Sequence, residues 1–137
     1  RDRASFLADD FQPLLKREQL LLVDGEQELF PGFRVVTMFG HTTALQCPLI
    51  SDGTTTLLYC ADLVPLHSHC QLPWIMGYDV EPLRTLESRR ALLRDAVSGG
   101  WLLLFEHDAR VAYGRAVEAK GGAALAEEVL APGAAPA

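Results

Sequence analysis

From Phe33 onward the chain reads as short apolar runs bounded by turn residues, whereas the segment before it mixes polar residues with brief apolar bursts. Those bursts predict a short helix near Asp9 to Lys16 and an extended piece at Leu20 to Val23, with a turn at Pro31-Gly32. The run FRVVTM, Phe33 to Met38, is rich in β-branched residues and predicts a strand. LQCPLIS (Leu45 to Ser51) and TTTLLYC (Thr54 to Cys60) flank Asp52-Gly53, a pair that suits a hairpin turn because glycine takes the positive φ it needs.

EPLRTLESRRALLRDAVSGG carries the clearest helical period. Pro82 suits the first turn, Asp79 is a candidate cap, and Gly99-Gly100 supplies the stop. Leu83, Leu86, Leu93 and Val97 fall on one face, the expected buried stripe. WLLLFE, Trp101 to Glu106, is a continuous apolar run of the kind a strand covered on both faces shows. Strand, helix and strand in succession predict α/β organisation. VAYGRAVEA and AALAEEVL, separated by Lys120-Gly121-Gly122, form either a terminal hairpin or alanine-rich helices, and APGAAPA reads as a frayed tail.

At 137 residues, 49% of them apolar and 22% charged, the chain suits one domain or a large piece of one, with enough apolar mass for a core. A net charge of −6 with arginines scattered among acids argues against nucleic-acid or anionic-membrane partners and leaves a small-molecule substrate. No apolar run is long enough to span a bilayer and no signal peptide opens the sequence. Three cysteines without a C-x-x-C spacing point to a reducing cytoplasm.

Three polar residues stand just beyond predicted strands, where α/β folds concentrate their chemistry. His41 follows FRVVTMFG, Asp62 follows TTTLLYCA, and His107 follows WLLLFE. Two imidazoles and a carboxylate form a donor set that zinc, manganese or iron accepts. Each also has an ordinary reading: a surface histidine, a turn-capping aspartate, and at Asp108 a surface acid. LHSHC offers a second candidate, because alternate residues on a strand point the same way and His67 and His69 would then chelate together.

Taken together, FPGFRVVTMFGHTTALQCPLI, LLYCADLVP and GWLLLFEHD resemble the later half of the metallo-β-lactamase-fold hydrolases, nearest the lactonase-like and organophosphate-hydrolase-like branch. The resemblance runs from about Phe6 to Gly122. It implies the C-terminal half of an αββα sandwich over residues 1–122, with residues 123–137 a terminal strand or helix and a disordered Ala/Pro tail. It also implies a dinuclear metal-dependent hydrolase of a lactone, ester, thioester or phosphoester, with two zinc ions in the complete protein and manganese or iron as substitutes. His41 would complete the first metal's set, Asp62 would bridge both metals and orient the attacking hydroxide, and His107 would bind the second. His69 would border the substrate pocket and His67 would be solvated. Trp74, Met76 and Tyr78 follow the aspartate's loop and form either an apolar wall of that pocket, with Tyr78 reaching the substrate, or part of the core.

The pattern departs from the family at Thr43-Ala44, where Pro-Gly is common, and at Cys60-Ala61, where Leu-Gly is common. The His-x-His-x-Asp-His motif that precedes these elements in the family is absent from the chain. LHSHC follows Asp62 and lacks the Asp-His, so it does not substitute for that motif. The expected state of these residues alone is therefore an inactive fragment whose uncovered sheet face invites dimerisation. The alternative is a non-catalytic binding module built on the same fold.

Overall fold

The computed structural model describes residues 6–134. Its centre is one mixed seven-stranded sheet whose spatial order follows the chain, β1 to β7. The strands are β1 (Gln27–Phe30), β2 (Phe33–Met38), β3 (Leu45–Ser51), β4 (Thr56–Tyr59), β5 (Leu102–Leu104), β6 (Val111–Ala119) and β7 (Gly122–Leu130). Helix α1 spans Ala8–Lys16 and helix α2 spans Pro82–Gly99. Every neighbouring pair is antiparallel except β4 and β5. A parallel pair needs a long crossover, and α2 supplies it.

The hairpin expected around Asp52-Gly53 forms, with Leu49 opposite Leu58 and Ser51 opposite Thr56. Asp52 caps its turn by accepting from the amides of Thr54 and Thr55 at 2.8 and 2.7 Å. The terminal segment resolves as a hairpin, not helices: Ala119 pairs with Gly122 across the Lys120-Gly121 turn. The tail expected from Ala131 falls partly on residues 135–137, outside those described.

Three expectations are corrected. Leu20 to Val23 makes no strand; Leu21 and Leu22 are largely exposed. The strand on that side is β1, which has no β-branched residue to announce it and exists because the Pro31-Gly32 turn folds it back on β2. The buried stripe of α2 is Thr85, Arg89, Leu92, Leu93 and Ala96, while Leu83 is 78% exposed. Its first turns face loop carbonyls instead of an apolar sheet, so polar groups occupy the stripe: Arg89 donates to the carbonyl oxygens of Leu63 (2.9 Å) and Trp74. β5 is covered fully on one face only, with Leu103 and Phe105 buried and Leu102 and Leu104 half-buried.

The core lies between α2 and the sheet and includes Leu58, Leu63, Val64, Leu92, Leu93, Leu103 and Phe105. Both loops that follow β4 and β5 emerge from it at the same end of the sheet, as parallel strands require. No described helix is long and apolar enough to cross a membrane.

Candidate metal centre

Three strand ends build the site. β2 ends at Met38 and the chain turns through Phe39 and Gly40 to His41. This turn is fastened to the start of α2: Glu81 N–H donates to Gly40 O at 2.8 Å, Val80 N–H to His41 O at 3.2 Å, and Phe39 N–H to Ser88 Oγ at 3.2 Å. β4 leads into a short 3₁₀ turn, Ala61–Leu63, which presents Asp62. Ala61 takes φ +46°, the left-handed region that favours glycine and costs another residue about 1–2 kcal/mol. The glycine common at this position in the resembling family therefore has a backbone reason, and this chain tolerates the strain. β5 leads through Phe105 and Glu106 to His107, whose amide donates to Pro65 O at 3.3 Å.

These three ends bring His41, Asp62 and His107 together. His41 Nε2 stands 3.2 Å from Asp62 Oδ2, and His107 Nε2 stands 3.0 Å from Asp62 Oδ1. One carboxylate thus spans two imidazoles, one oxygen to each. On its other side, His41 Nδ1 lies 2.9 Å from Oδ1 of the buried Asp79. A carboxylate only accepts, so Nδ1 carries the proton and Nε2 is left aimed at Asp62. A lone pair facing a carboxylate oxygen at that distance repels it unless a proton or a metal ion stands between. The donor set, two imidazoles and carboxylate oxygen, suits zinc, manganese or iron. A cleft of about 640 Å³ opens over these groups and is also lined by His69, Met76 and Tyr78.

Asp79 was expected to cap α2. Glu81 occupies the cap position instead and makes no side-chain capping bond. Serving His41 removes Asp79 from the helix end, a role that spacing does not reveal. Trp74 does not join Met76 and Tyr78 on the cleft wall; its ring is exposed and its carbonyl takes a bond from Arg89.

His67 and His69 sit on one 3₁₀ turn, His67–Cys70, not a strand, so they do not chelate as a pair. His67 is exposed, as expected, and is tethered as well: its ring Nδ1 lies 2.5 Å from Asp108 Oδ2, and its amide donates to the same oxygen at 2.8 Å. Asp108 is likewise no ordinary surface acid, with a side chain 6% exposed. Burial alone would raise its carboxyl, but the amides of Val111, His67 and Arg110 and the His67 ring hold it well below the usual carboxylate range. His69 lines the cleft, and its Nδ1 is buried without a partner among the described residues. Burial lowers its imidazole below the ordinary range and the Arg89 charge lowers it further, against a smaller pull from Asp79, so the ring is neutral at pH 7.

No thiol lines the cleft: Cys47, Cys60 and Cys70 are buried in the core. Burial pushes Cys70 up to about 12 and Cys60 well above its ordinary value. Cys47 also rises to about 12, first from burial and then from the charges of Glu106 and Asp62.

No family model matches the chain, and no curated protein matches its sequence. Solved structures do match its fold. AidC, a dizinc quorum-quenching lactonase in complex with a product, superposes with a TM-score of 0.73 at 23% identity, over 93% of this chain and 45% of its own. A probable metal-dependent hydrolase from Staphylococcus aureus gives 0.70 at 19% identity, over 82% of this chain and 42% of its own. AbOPH, a hydrolase in the beta lactamase superfamily, gives 0.68 at 18% identity, over 91% and 42%. The fold is that of a metallo-β-lactamase C-terminal part. The chain spans less than half the length of each of these hydrolases. In metallo-β-lactamase terms, the helix layer on one sheet face is α2, and the strand ends carrying His41, Asp62 and His107 lie at one rim of the sheet.

Proposed function

We propose that this chain carries the later part of the active site of a dinuclear metal-dependent hydrolase acting on a lactone, ester, thioester or phosphoester. One observation carries the reading: the two oxygens of Asp62 face two separate imidazole nitrogens, at 3.2 and 3.0 Å. Support comes from the matched structures, which include metal-dependent hydrolases and a dizinc lactonase. The remaining ligands would come from a His-x-His-x-Asp-His segment, which residues 1–137 do not contain.

In this reading His41 and Asp62 would contribute to holding one ion, and Asp62 and His107 the other; zinc, manganese or iron would fit such donors. When bound, the ions supply Lewis acidity and a hydroxide nucleophile at neutral pH. The chain's own groups do the positioning. Asp79 fixes the proton of His41 on Nδ1 and orients the ring. Asp62 would set the separation of the two imidazoles and orient the attacking group between them. Neutral His69 and the Tyr78 phenol border the cleft and are the groups available to bind substrate.

Metal analysis of the full-length protein tests the reading: about two equivalents of zinc, manganese or iron per chain are expected, and none after zinc supplementation overturns it. A second expectation concerns Asp79. Asp79→Ala removes the partner of His41 Nδ1 and should lower metal affinity ~10–100-fold, read by metal retention during dialysis against a chelator. Unchanged retention would separate Asp79 from the centre.

A further inference from the structure

The reading above uses His41, Asp62 and His107 but gives no role to Glu106. This residue follows the buried Phe105, and its carboxylate is divided between two partners. Oε2 accepts from the Tyr59 hydroxyl, while Oε1 stands 3.3 Å from His107 Nε2. Tyr59 ends β4 and pairs with Leu104 on the parallel β5. Phenol and carboxylate therefore issue from adjacent strands, and one oxygen is tethered so that the other faces the site.

Ligand atoms of Asp62, Glu106 and His107 lie within 4.8 Å of one another. Donors around one ion at about 2.1 Å stand about 3–3.5 Å apart. His107 Nε2 keeps such spacing to both carboxylates, 3.0 Å to Asp62 Oδ1 and 3.3 Å to Glu106 Oε1. The charge is unbalanced. Two carboxylates converge on a nitrogen that presents at most one proton, and among the described ion pairs neither meets a lysine or arginine. A second feature points to a cation independently: Asp79 commits the His41 Nδ1 proton, leaving Nε2 aimed at Asp62.

We propose that Glu106 is a further metal ligand on the His107 side of the centre, held in place by Tyr59, and that it biases this position toward manganese over zinc. Carboxylate oxygen suits manganese, whereas imidazole suits zinc, so a set of two carboxylates and one imidazole favours the harder ion more than one carboxylate would. The inference rests on the dinuclear reading but adds a residue and a selectivity that the reading does not require. Glu106→Gln keeps the side chain's size and an acceptor for Tyr59, and residue 106 lies outside the core, so the fold should survive the change.

The test uses the full-length protein as wild type, Glu106→Gln, Tyr59→Phe and Asp62→Asn. Manganese binding is followed by the electron paramagnetic resonance signal of the free ion, and zinc binding by competition with a chromophoric chelator. Glu106→Gln should weaken manganese at least ~10–100-fold and zinc less, so that the manganese-to-zinc affinity ratio falls. Tyr59→Phe should move the ratio the same way by a smaller factor. Wild-type affinities for both ions in Glu106→Gln, or equal losses for both, overturn the proposal. If Asp62→Asn still loses metal in that case, the dinuclear reading stands without Glu106. If the wild type binds neither ion, both fall together.

Discussion

Asp62→Asn in the full-length protein is expected to lose at least ~100-fold in metal affinity and ~10²–10³-fold or more in kcat/KM. The argument is electrostatic. Asp62 offers an oxygen to each of two imidazoles at 3.2 and 3.0 Å, so both halves of the proposed centre depend on one negative charge. Asparagine keeps the shape but replaces one of those oxygens with an N–H₂ group, a donor that cannot ligate and that repels a cation. The side chain is one-third exposed and its only described side-chain partners are the two histidines, so the fold has little reason to respond. Circular dichroism and the melting temperature should match the wild type while metal content falls. A variant that keeps its metal and its turnover would remove Asp62 from the centre and the dinuclear reading with it.

Much of this arrangement was legible in the sequence, and the reasons are local. β2 was readable because FRVVTM is β-branched and ends on Gly40, and the β3–β4 hairpin because Asp52-Gly53 carries its own turn chemistry. The ligand candidates were readable because a polar residue directly after an apolar strand is held by stiff backbone at the sheet rim. The groups that could not be read act at a distance. Asp79 meets His41 across 38 residues, Asp108 meets His67 across 41, and Tyr59 meets Glu106 across 47. Each looks locally like a cap or a surface polar residue; the crossover through α2 brings Asp108 to His67 and Glu106 to Tyr59, and the docking of the β2 turn on the segment that enters α2 brings Asp79 to His41. The error on α2 has the same origin. Counting leucines assumes an apolar surface opposite every turn, but its first turns face the carbonyls of Leu63 and Trp74, which need the Arg89 guanidinium.

Gly40→Ala should be severely damaging for so small a substitution, lowering stability by ~3–5 kcal/mol and the melting temperature by ~10–20 °C. Two costs combine. Gly40 has φ +114°, a backbone conformation that L side chains rarely adopt. A Cβ there would also stand 2.1 Å from Thr85 N, 2.5 Å from Thr85 Oγ1 and 2.6 Å from Thr85 Cα. The nearest of these is main chain at the start of α2, so no rotamer change relieves the overlap. The helix end and the β2 turn must separate, taking with them the Glu81 bond to Gly40 O and the Val80 bond to His41 O. Gly53→Ala separates the two costs: it has φ +88°, and nothing lies within 4 Å of its added Cβ, so it meets only the backbone term of ~1–2 kcal/mol. The difference between the two melts therefore measures how tightly the His41 turn is pressed against α2. Metal content should follow, with Gly53→Ala keeping the wild-type value and any folded Gly40→Ala losing metal because His41 no longer meets Asp62 and Asp79 together. Equal melts for the two variants would mean that the β2 turn and α2 are not in the contact that aims His41.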